Sequence, residues 1–156
     1  MKYLLKAIKD HFDSAGGASL RAIVGDSGLY YDQAPQGTSM PYVTCHIISY
    51  IPERSIMPGG QRVTNNILLQ FSVWSDSRSV SEVSNIYGYL DSLFDRASLT
   101  IDGFEHIVFI RETAHAPFYY DNAWNLAVDY RWLAQRAGGY GEGGYGEGGY
   151  GEGGFG

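Results

Sequence analysis

The chain has 156 residues and a net charge of -6, with 44% hydrophobic and 18% charged residues, which fits a folded domain with a real core. Its single cysteine, Cys45, excludes an internal disulfide and a Cys-rich zinc site. No apolar run is long enough to span a membrane, and the N-terminus lacks the pattern of a secretion signal.

The first elements are predicted to be two helices and two strands. Leu4, Leu5, Ile8 and Phe12 recur at helical spacing before Gly16-Gly17, and a short second helix covers 19–24. A short strand is predicted over 29–33. A longer strand covers 42–51, with one face formed by Val43, Cys45, Ile47 and Ile51 and the other by Thr44, His46 and Tyr50.

The middle of the chain predicts a hairpin followed by a long helix. Residues 52–60 are predicted to be a loop, and 63–73 the returning antiparallel strand, whose apolar face is interrupted by Asn65. Ser79 and Glu82 have the spacing of a capping box, so a helix is expected from there to about Arg96.

Two further strands complete the predicted domain. They cover 104–113 and 124–132, with a turn over 116–122 between them. Strands and helices do not alternate one for one. The order therefore favours an α+β fold, with an antiparallel or mixed sheet and two main helices on one face. Such a sheet leaves one face and its edges free, and we expect a partner to cover part of that surface.

The C-terminal segment has a different composition, which divides the chain into a domain over 1–137 and a tail over 138–156. Gly-Gly-Tyr-Gly-Glu occurs three times in the tail, and Gly-Gly-Phe-Gly closes it. Five-residue units so rich in glycine cannot bury a core. The tail is either a solvated linker or a multivalent binding segment, and its candidate contact residues are Tyr140, Tyr145, Tyr150 and Phe155.

No catalytic, cofactor-binding or metal-binding residue is predicted. The four histidines have no metal-ligand spacing, and neither a phosphate-binding glycine loop nor a nucleophile elbow is present. Asp91 and Asp95 share a helix face, which is by default a solvated face. The arginines are dispersed among acids, and the acidic balance argues against a protein that grips nucleic acid through its phosphates.

Several short motifs resemble one family in their order and spacing. Residues 30–38 followed by Pro41-Tyr42-Val43, then 69–75 before a helix ending at 90–94, and finally 128–131, resemble the tail-completion proteins of long-tailed phages. These are also described as tail terminator or tail-to-head joining proteins. The resemblance covers about residues 3–135, and the repeat tail is not part of it.

The resemblance implies a structural virion protein that forms a hexameric ring at the head-proximal end of the tail tube, assembled in the host cytoplasm. Such a ring ends tube growth, contacts the tail tube protein and the head-completion or connector protein, and lets DNA pass during ejection without binding it specifically. No cofactor, enzymatic activity or membrane contact is implied. The predicted loop at 52–60 is interpreted as an interface arm, with contact residues Glu53, Arg54, Ile56 and Met57. The alternatives are another neck, head-completion or tail-tube protein, and a small-molecule-binding domain.

Overall fold

The computed structural model describes residues 2–57 and 60–136, with side chains described outside 54–63 and 106–107. Helix α1 is followed by a 3-10 turn at Ala15–Gly17 and by helix α2, and helix α3 lies between the strands β3 and β4. The elements are α1 Lys2–Asp13, α2 Ala18–Val24, β1 Leu29–Tyr31, β2 Tyr42–Met57, β3 Gly60–Ser75, α3 Ser81–Phe94, β4 Phe104–Ala114, β5 Phe118–Tyr120 and β6 Ala123–Arg136. The predicted α+β class is confirmed.

One six-stranded mixed sheet organises the domain. Its order is β1-β2-β3-β6-β4, and β5 pairs with β6 beside β4. Strand β1 runs parallel to β2, while all other pairs are antiparallel. Helix α3 packs on β3, β6 and β4, and α2 contacts both α1 and α3.

The face of the sheet under the helices carries the hydrophobic core. Cross-strand partners such as Phe71 and Val128, or Ile67 and Trp132, are fully or almost fully buried there. Helix α1 adds Leu4, Ile8 and Phe12 to the same core, as its periodicity predicts. Cys45 is also buried in this cluster, and its burial raises the pKa of the thiol, so it packs as a small hydrophobic residue.

The predicted loop over 52–60 is wrong, because β2 and β3 continue as a paired hairpin to Met57 and from Gly60. Pro52 is tolerated because β2 has no strand on its outer side at that point in the described chain, so no ladder hydrogen bond needs its missing N–H. We call residues 51–66 of this hairpin the arm.

A register shift between Ile47 and Ser49 also corrects the predicted faces of β2. The extra residue reverses the alternation, so Tyr50 lies opposite Ile67 on the core face and Ile51 lies on the other face. The polar interruption at Asn65 has a structural reason, since its buried side chain accepts a hydrogen bond of 3.0 Å from the Tyr50 hydroxyl.

The predicted capping box at the start of α3 does not form. Glu82 instead accepts a hydrogen bond of 2.6 Å from Ser75 Oγ at the buried end of β3, and Val80 occupies the N-cap position without a side-chain bond. The competing donor ties the first turn of α3 to the sheet. The helix ends at Phe94, two residues before the predicted end, and Arg96 adopts a positive φ of 60°.

The segment predicted as a turn over 116–122 contains the short strand β5, which forms a tight hairpin with β6. Asp121 and Asn122 both have positive φ, the conformation that two-residue hairpins of matching twist require. The weak alternation of the preceding strand is explained by two register shifts in β4, between His106 and Val108 and between Arg111 and Thr113.

Candidate assembly surfaces

The face of the sheet opposite the helices, which we call the open face, is crossed by a ladder of polar side chains. Arg131 donates from Nε and Nη2 to the two carboxylate oxygens of Glu112 at 3.0 and 2.9 Å, and from Nη1 to Asn66 Oδ1. Asn66 Nδ2 then donates to Glu53 Oε1 at 2.8 Å. The ladder therefore links β4, β6, β3 and β2 in one row.

A second row lies beside it. Asp129 accepts a hydrogen bond of 2.9 Å from Gln70 Nε2 and contacts His115 Nε2 at 3.0 Å. Because both rows join side chains on different strands, they add side-chain hydrogen bonds between neighbouring strands across the open face.

The open face is acidic. Among its described side chains, Arg131 supplies a guanidinium and His46 and His115 supply imidazoles, while the acidic residues are Glu53, Glu105, Glu112 and Asp129. One guanidinium against four carboxylates leaves a net negative surface, which repels polyanions.

The two sides of the sheet differ in how their edges are covered. On the β4 side, Arg96 N–H donates to the Phe109 carbonyl at 2.8 Å and Arg111 N–H donates to Asp95 Oδ1 at 2.8 Å. The segment after α3 thus occupies the middle of that edge, which is a common way to prevent unwanted strand pairing.

The β2 edge is covered only along its first residues. Strand β1 pairs with Val43 to Cys45, and in the part of the chain that the structure describes no strand continues this pairing along 46–57. Three large apolar side chains lie in this stretch and are about half exposed: Ile48, Tyr50 and Ile51. An unpaired edge with exposed apolar residues is typical of a surface that another chain covers.

Aromatic side chains gather at the end of the open face farthest from the arm. The register places Tyr42 beside Trp74, and Trp74 and Phe118 on either side of Asn125. We call the aromatic rim the set Tyr30, Tyr42, Trp74, Phe118 and Tyr120, the last of which is 72% exposed. Phe118 and Tyr120 are exposed and the other three rim residues are partly buried, and grouped aromatic side chains at a surface favour protein contact.

The predicted interface residues are distributed as follows. Glu53 lies exposed on β2 as the end of the polar ladder. Arg54, Ile56 and Met57 are paired in the arm with Val63, Gln61 and Gly60, and their side chains lie outside the described residues. The tail residues Tyr140, Tyr145, Tyr150 and Phe155 also lie outside them.

Free sheet edges covered by a partner were predicted, but neither the β2 edge nor the residues of the aromatic rim were named. The exposed aromatic side chains were a detectable signal for the rim, but the cross-strand register that aligns them depends on long-range pairing.

The described residues contain no group of three or more His, Cys, Asp or Glu side chains that could hold a metal ion. None of the helices in the described part of the chain has the length and apolar character that a membrane span requires.

Comparison with known proteins identifies the family. The family model of the tail completion protein gp17 matches residues 15–135. The chain belongs to this family. It is therefore a structural protein of the phage tail, and the predicted family and location in the virion tail are confirmed.

Solved structures share the fold of this tail-completion protein. A chain of the virion of a native gene transfer agent particle matches with a TM-score of 0.66 and 16% identity, covering 86% of this chain and 96% of that chain. A second solved chain, whose name states no function, matches with a TM-score of 0.53 and 14% identity, covering 84% of this chain and 95% of its own. No curated protein matches. At these identities the likeness concerns the fold alone.

Proposed function

We propose that this tail-completion protein assembles into a hexameric ring at the head-proximal end of the tail tube, where it ends tube growth and joins the tail to the head connector. Its partners are further copies of itself, the tail tube protein and a head-completion or connector protein. DNA passes through the lumen without specific binding.

The observation that carries this proposal is the asymmetry of the sheet edges. One edge is occupied by the chain's own Asp95 and Arg96, whereas the β2 edge beyond Cys45 is unpaired in the described structure and carries exposed apolar side chains. A contact between this edge and a different surface of the next copy is heterologous, and heterologous contacts form a ring when the rotation between neighbours divides a full turn. The arm extends this edge and is its natural interface element.

The open face suits the wall of a DNA channel. Its net negative charge disfavours phosphate contacts, so DNA slides past instead of adhering. Its polar rows are already hydrogen-bonded among themselves, which leaves few donors for phosphates.

The ring interface is tested by changing the arm. Replacing residues 54–58 by Gly and Ser should leave the domain folded but reduce ring assembly, measured as the native mass of the purified protein. Ile51→Lys should do the same through the exposed β2 edge, because a lysine there is a charge that must be desolvated when a neighbour covers it. Ser84→Lys on the exposed side of α3 is the matched control. Normal assembly by both interface variants would refute the proposal that the arm and the β2 edge form the ring interface.

The channel assignment is tested by charge reversal on the open face. Glu105→Lys, outside the arm, should permit assembly but slow DNA ejection, because the added lysine of each subunit would attract phosphates. Asp26→Lys, at an exposed loop next to α2, changes a charge away from the open face and should eject DNA normally. Equal ejection rates in both variants would contradict a lumen lined by the open face.

The tail is proposed to act as a strap that holds the assembled particle together through its aromatic repeats. Deleting 138–156 should leave the domain folded and lower the stability or yield of particles. Changing Tyr140, Tyr145, Tyr150 and Phe155 to Ser should have the same effect if the rings are the contact groups. Particles that withstand salt and heat like the parent in both cases would make the tail a passive appendage.

A further inference from the structure

A cavity of about 400 Å³ lies on the helical side of the domain, away from the open face. Helix α1 forms one wall and the segment between α3 and β4 forms the other. The polar side chains that line it include Tyr3, Lys6, Asp10, His11, Thr100 and Asp102. The volume lies near the lower end of the roughly 300–1,000 Å³ typical of ligand pockets, so the occupant is about the size of one aromatic side chain with adjoining backbone.

Two carboxylates give the cavity free hydrogen-bond acceptors, beside donors such as the Lys6 ammonium and the hydroxyls of Tyr3 and Thr100. Asp10 Oδ2 accepts from Lys6 Nζ at 2.6 Å, which leaves its second oxygen available to accept. His11 Nε2 lies 2.8 Å from the Leu93 carbonyl, an acceptor, so Nε2 carries a hydrogen and donates it there. The carboxylate of the exposed Asp102 adds two more acceptor oxygens. A ligand that donates hydrogen bonds can therefore bind at these carboxylates.

The chain leaves the described structure beside this cavity. Arg136, the last residue of β6, pairs with Phe104, and their Cα atoms are about 5 Å apart in such a ladder. Asp102 is two residues before Phe104 and lies at most about 7 Å from it. Tyr140 follows Arg136 by four residues, so its Cα can lie up to about 14 Å from Arg136. The first tyrosine of the tail can thus reach the cavity of its own chain.

The composition of the tail matches the acceptors. Residues 137–156 contain Ala, Gly, Tyr, Glu and Phe, so their hydrogen-bond donors are backbone N–H groups and phenol O–H groups. A tyrosine can place its ring against Tyr3 and donate its hydroxyl to a carboxylate, while glycine lets the backbone approach closely. The ammonium of Lys6, which also pairs with Asp10, would be a counter-ion for Glu142 of a docked repeat.

We propose that the cavity binds the first Gly-Gly-Tyr-Gly-Glu repeat of its own chain, with the Tyr140 ring inside and its hydroxyl donated to a lining carboxylate. We call this bound repeat the anchor. It would hold the beginning of the tail on the outer side of the ring, and the three later aromatic residues would remain free to bind a partner. It deepens the strap proposed above, but it is a property of the single chain and does not require the ring.

Disulfide formation in the full-length chain tests the anchor. In Thr100→Cys/Gly141→Cys, a docked repeat brings the two thiols together. Glu105→Cys/Gly141→Cys is the control, because Glu105 pairs with Gln135 beside the end of β6 but lies on the open face, so an unbound tail reaches it at least as easily as Thr100. Cys45 is buried in both variants and does not compete. We expect the first variant to form the intrachain disulfide at least about tenfold faster, which corresponds to a preference of about 1.4 kcal/mol.

Two further substitutions identify the contact. Adding Tyr140→Ser should lower the rate of the Thr100 variant to that of the open-face control. Tyr140→Phe retains the ring but lacks the hydroxyl, and should fall between the two. Equal rates for the two cysteine pairs, no effect of Tyr140→Ser, or disulfides only between chains would each overturn the anchor. A ring found by native mass together with any of these results would refute the anchor alone.

Discussion

Asp91 joins helix α3 to the sheet through three side chains. Its Oδ1 accepts from the Tyr130 hydroxyl at 2.8 Å, and its Oδ2 from Arg111 Nη1 at 2.8 Å. Arg111 in turn donates to the Tyr87 hydroxyl at 2.7 Å. Burial and the hydrogen bond to Asp91 raise the pKa of Tyr130, so its phenol stays protonated as a donor.

Removing the Asp91 carboxylate should therefore lower the free energy of unfolding. Asp91→Ala leaves the hydroxyl of the buried Tyr130 without its partner, and we expect a loss of about 1–3 kcal/mol in the free energy of unfolding. Ser92→Ala, at an exposed position on the same helix, should change it by less than about 0.5 kcal/mol. Urea denaturation of both variants makes the comparison, and equal stabilities would show that the network does not hold α3 to the sheet.

Tyr31 connects β1 to α1, since its hydroxyl donates to the Leu5 carbonyl. Burial raises the pKa of Tyr31 to about 12, from an unfolded value near 10. A raised folded pKa means that the contribution to stability is complete below pH 10 and is lost as the pH rises towards 12. The group is half-buried, so solvent screening reduces this contribution to about 1 kcal/mol.

Tyr31→Phe should accordingly be less stable than the parent at pH 8, by about 0.5–1.5 kcal/mol for the lost hydrogen bond. The difference in free energy of unfolding between the parent and the variant should shrink between pH 10 and 12. Over this range the parent loses the contribution of the Tyr31 hydroxyl, which the variant lacks at every pH. Denaturation curves at pH 8 and pH 11.5 measure it, with Tyr3→Phe at an exposed position as the control. A difference that stays constant with pH would refute the role of the Tyr31 hydroxyl.

At the scale of residues, the sequence predicts burial better than polar partners. The core positions of α1 and the buried Cys45 follow from periodicity, because a single element determines which side faces inward. The capping box failed because Ser75, seven residues before Glu82, is brought close by the end of β3. Such competition between donors appears only when the elements are packed.

At the scale of elements, the β5–β6 hairpin depends on two residues in the left-handed region. Asn122 has a φ of 61°, which alanine adopts at a cost and glycine adopts freely. We expect Asn122→Ala to destabilise the hairpin by about 1 kcal/mol and Asn122→Gly to preserve or strengthen it. Amide hydrogen exchange of residues 118–120 reports the local effect, and the same exchange rates in both variants would contradict this account of the turn.

The features that could not be predicted from the sequence are those that depend on pairing with another strand. The sequence of the arm includes Pro52 and Pro58-Gly59, a composition typical of a loop. Because β2 pairs with β3, however, β2 extends to Met57. The bulge between Ile47 and Ser49 then reverses the face of every later residue of β2. Local propensity contains neither the partner strand nor its register.

At the scale of the whole molecule, the fold class and the family could be predicted, because the order of elements and the spacing of several motifs extend over most of the chain. The surfaces could be predicted only in part. The acidity of the open face depends on which acids of four strands share one side, and the free β2 edge depends on how short β1 is. Both arise from long-range pairing.

The native mass of the purified full-length protein tests the central proposal most directly. If one sheet edge is left for a neighbouring copy, the protein should form a closed species of six 17.2 kDa chains at micromolar concentration. Ile51→Lys should shift this species towards monomers, while Ser84→Lys should not. A parent protein that remains monomeric at that concentration, and that forms no ring in the assembled particle, would contradict the proposed function.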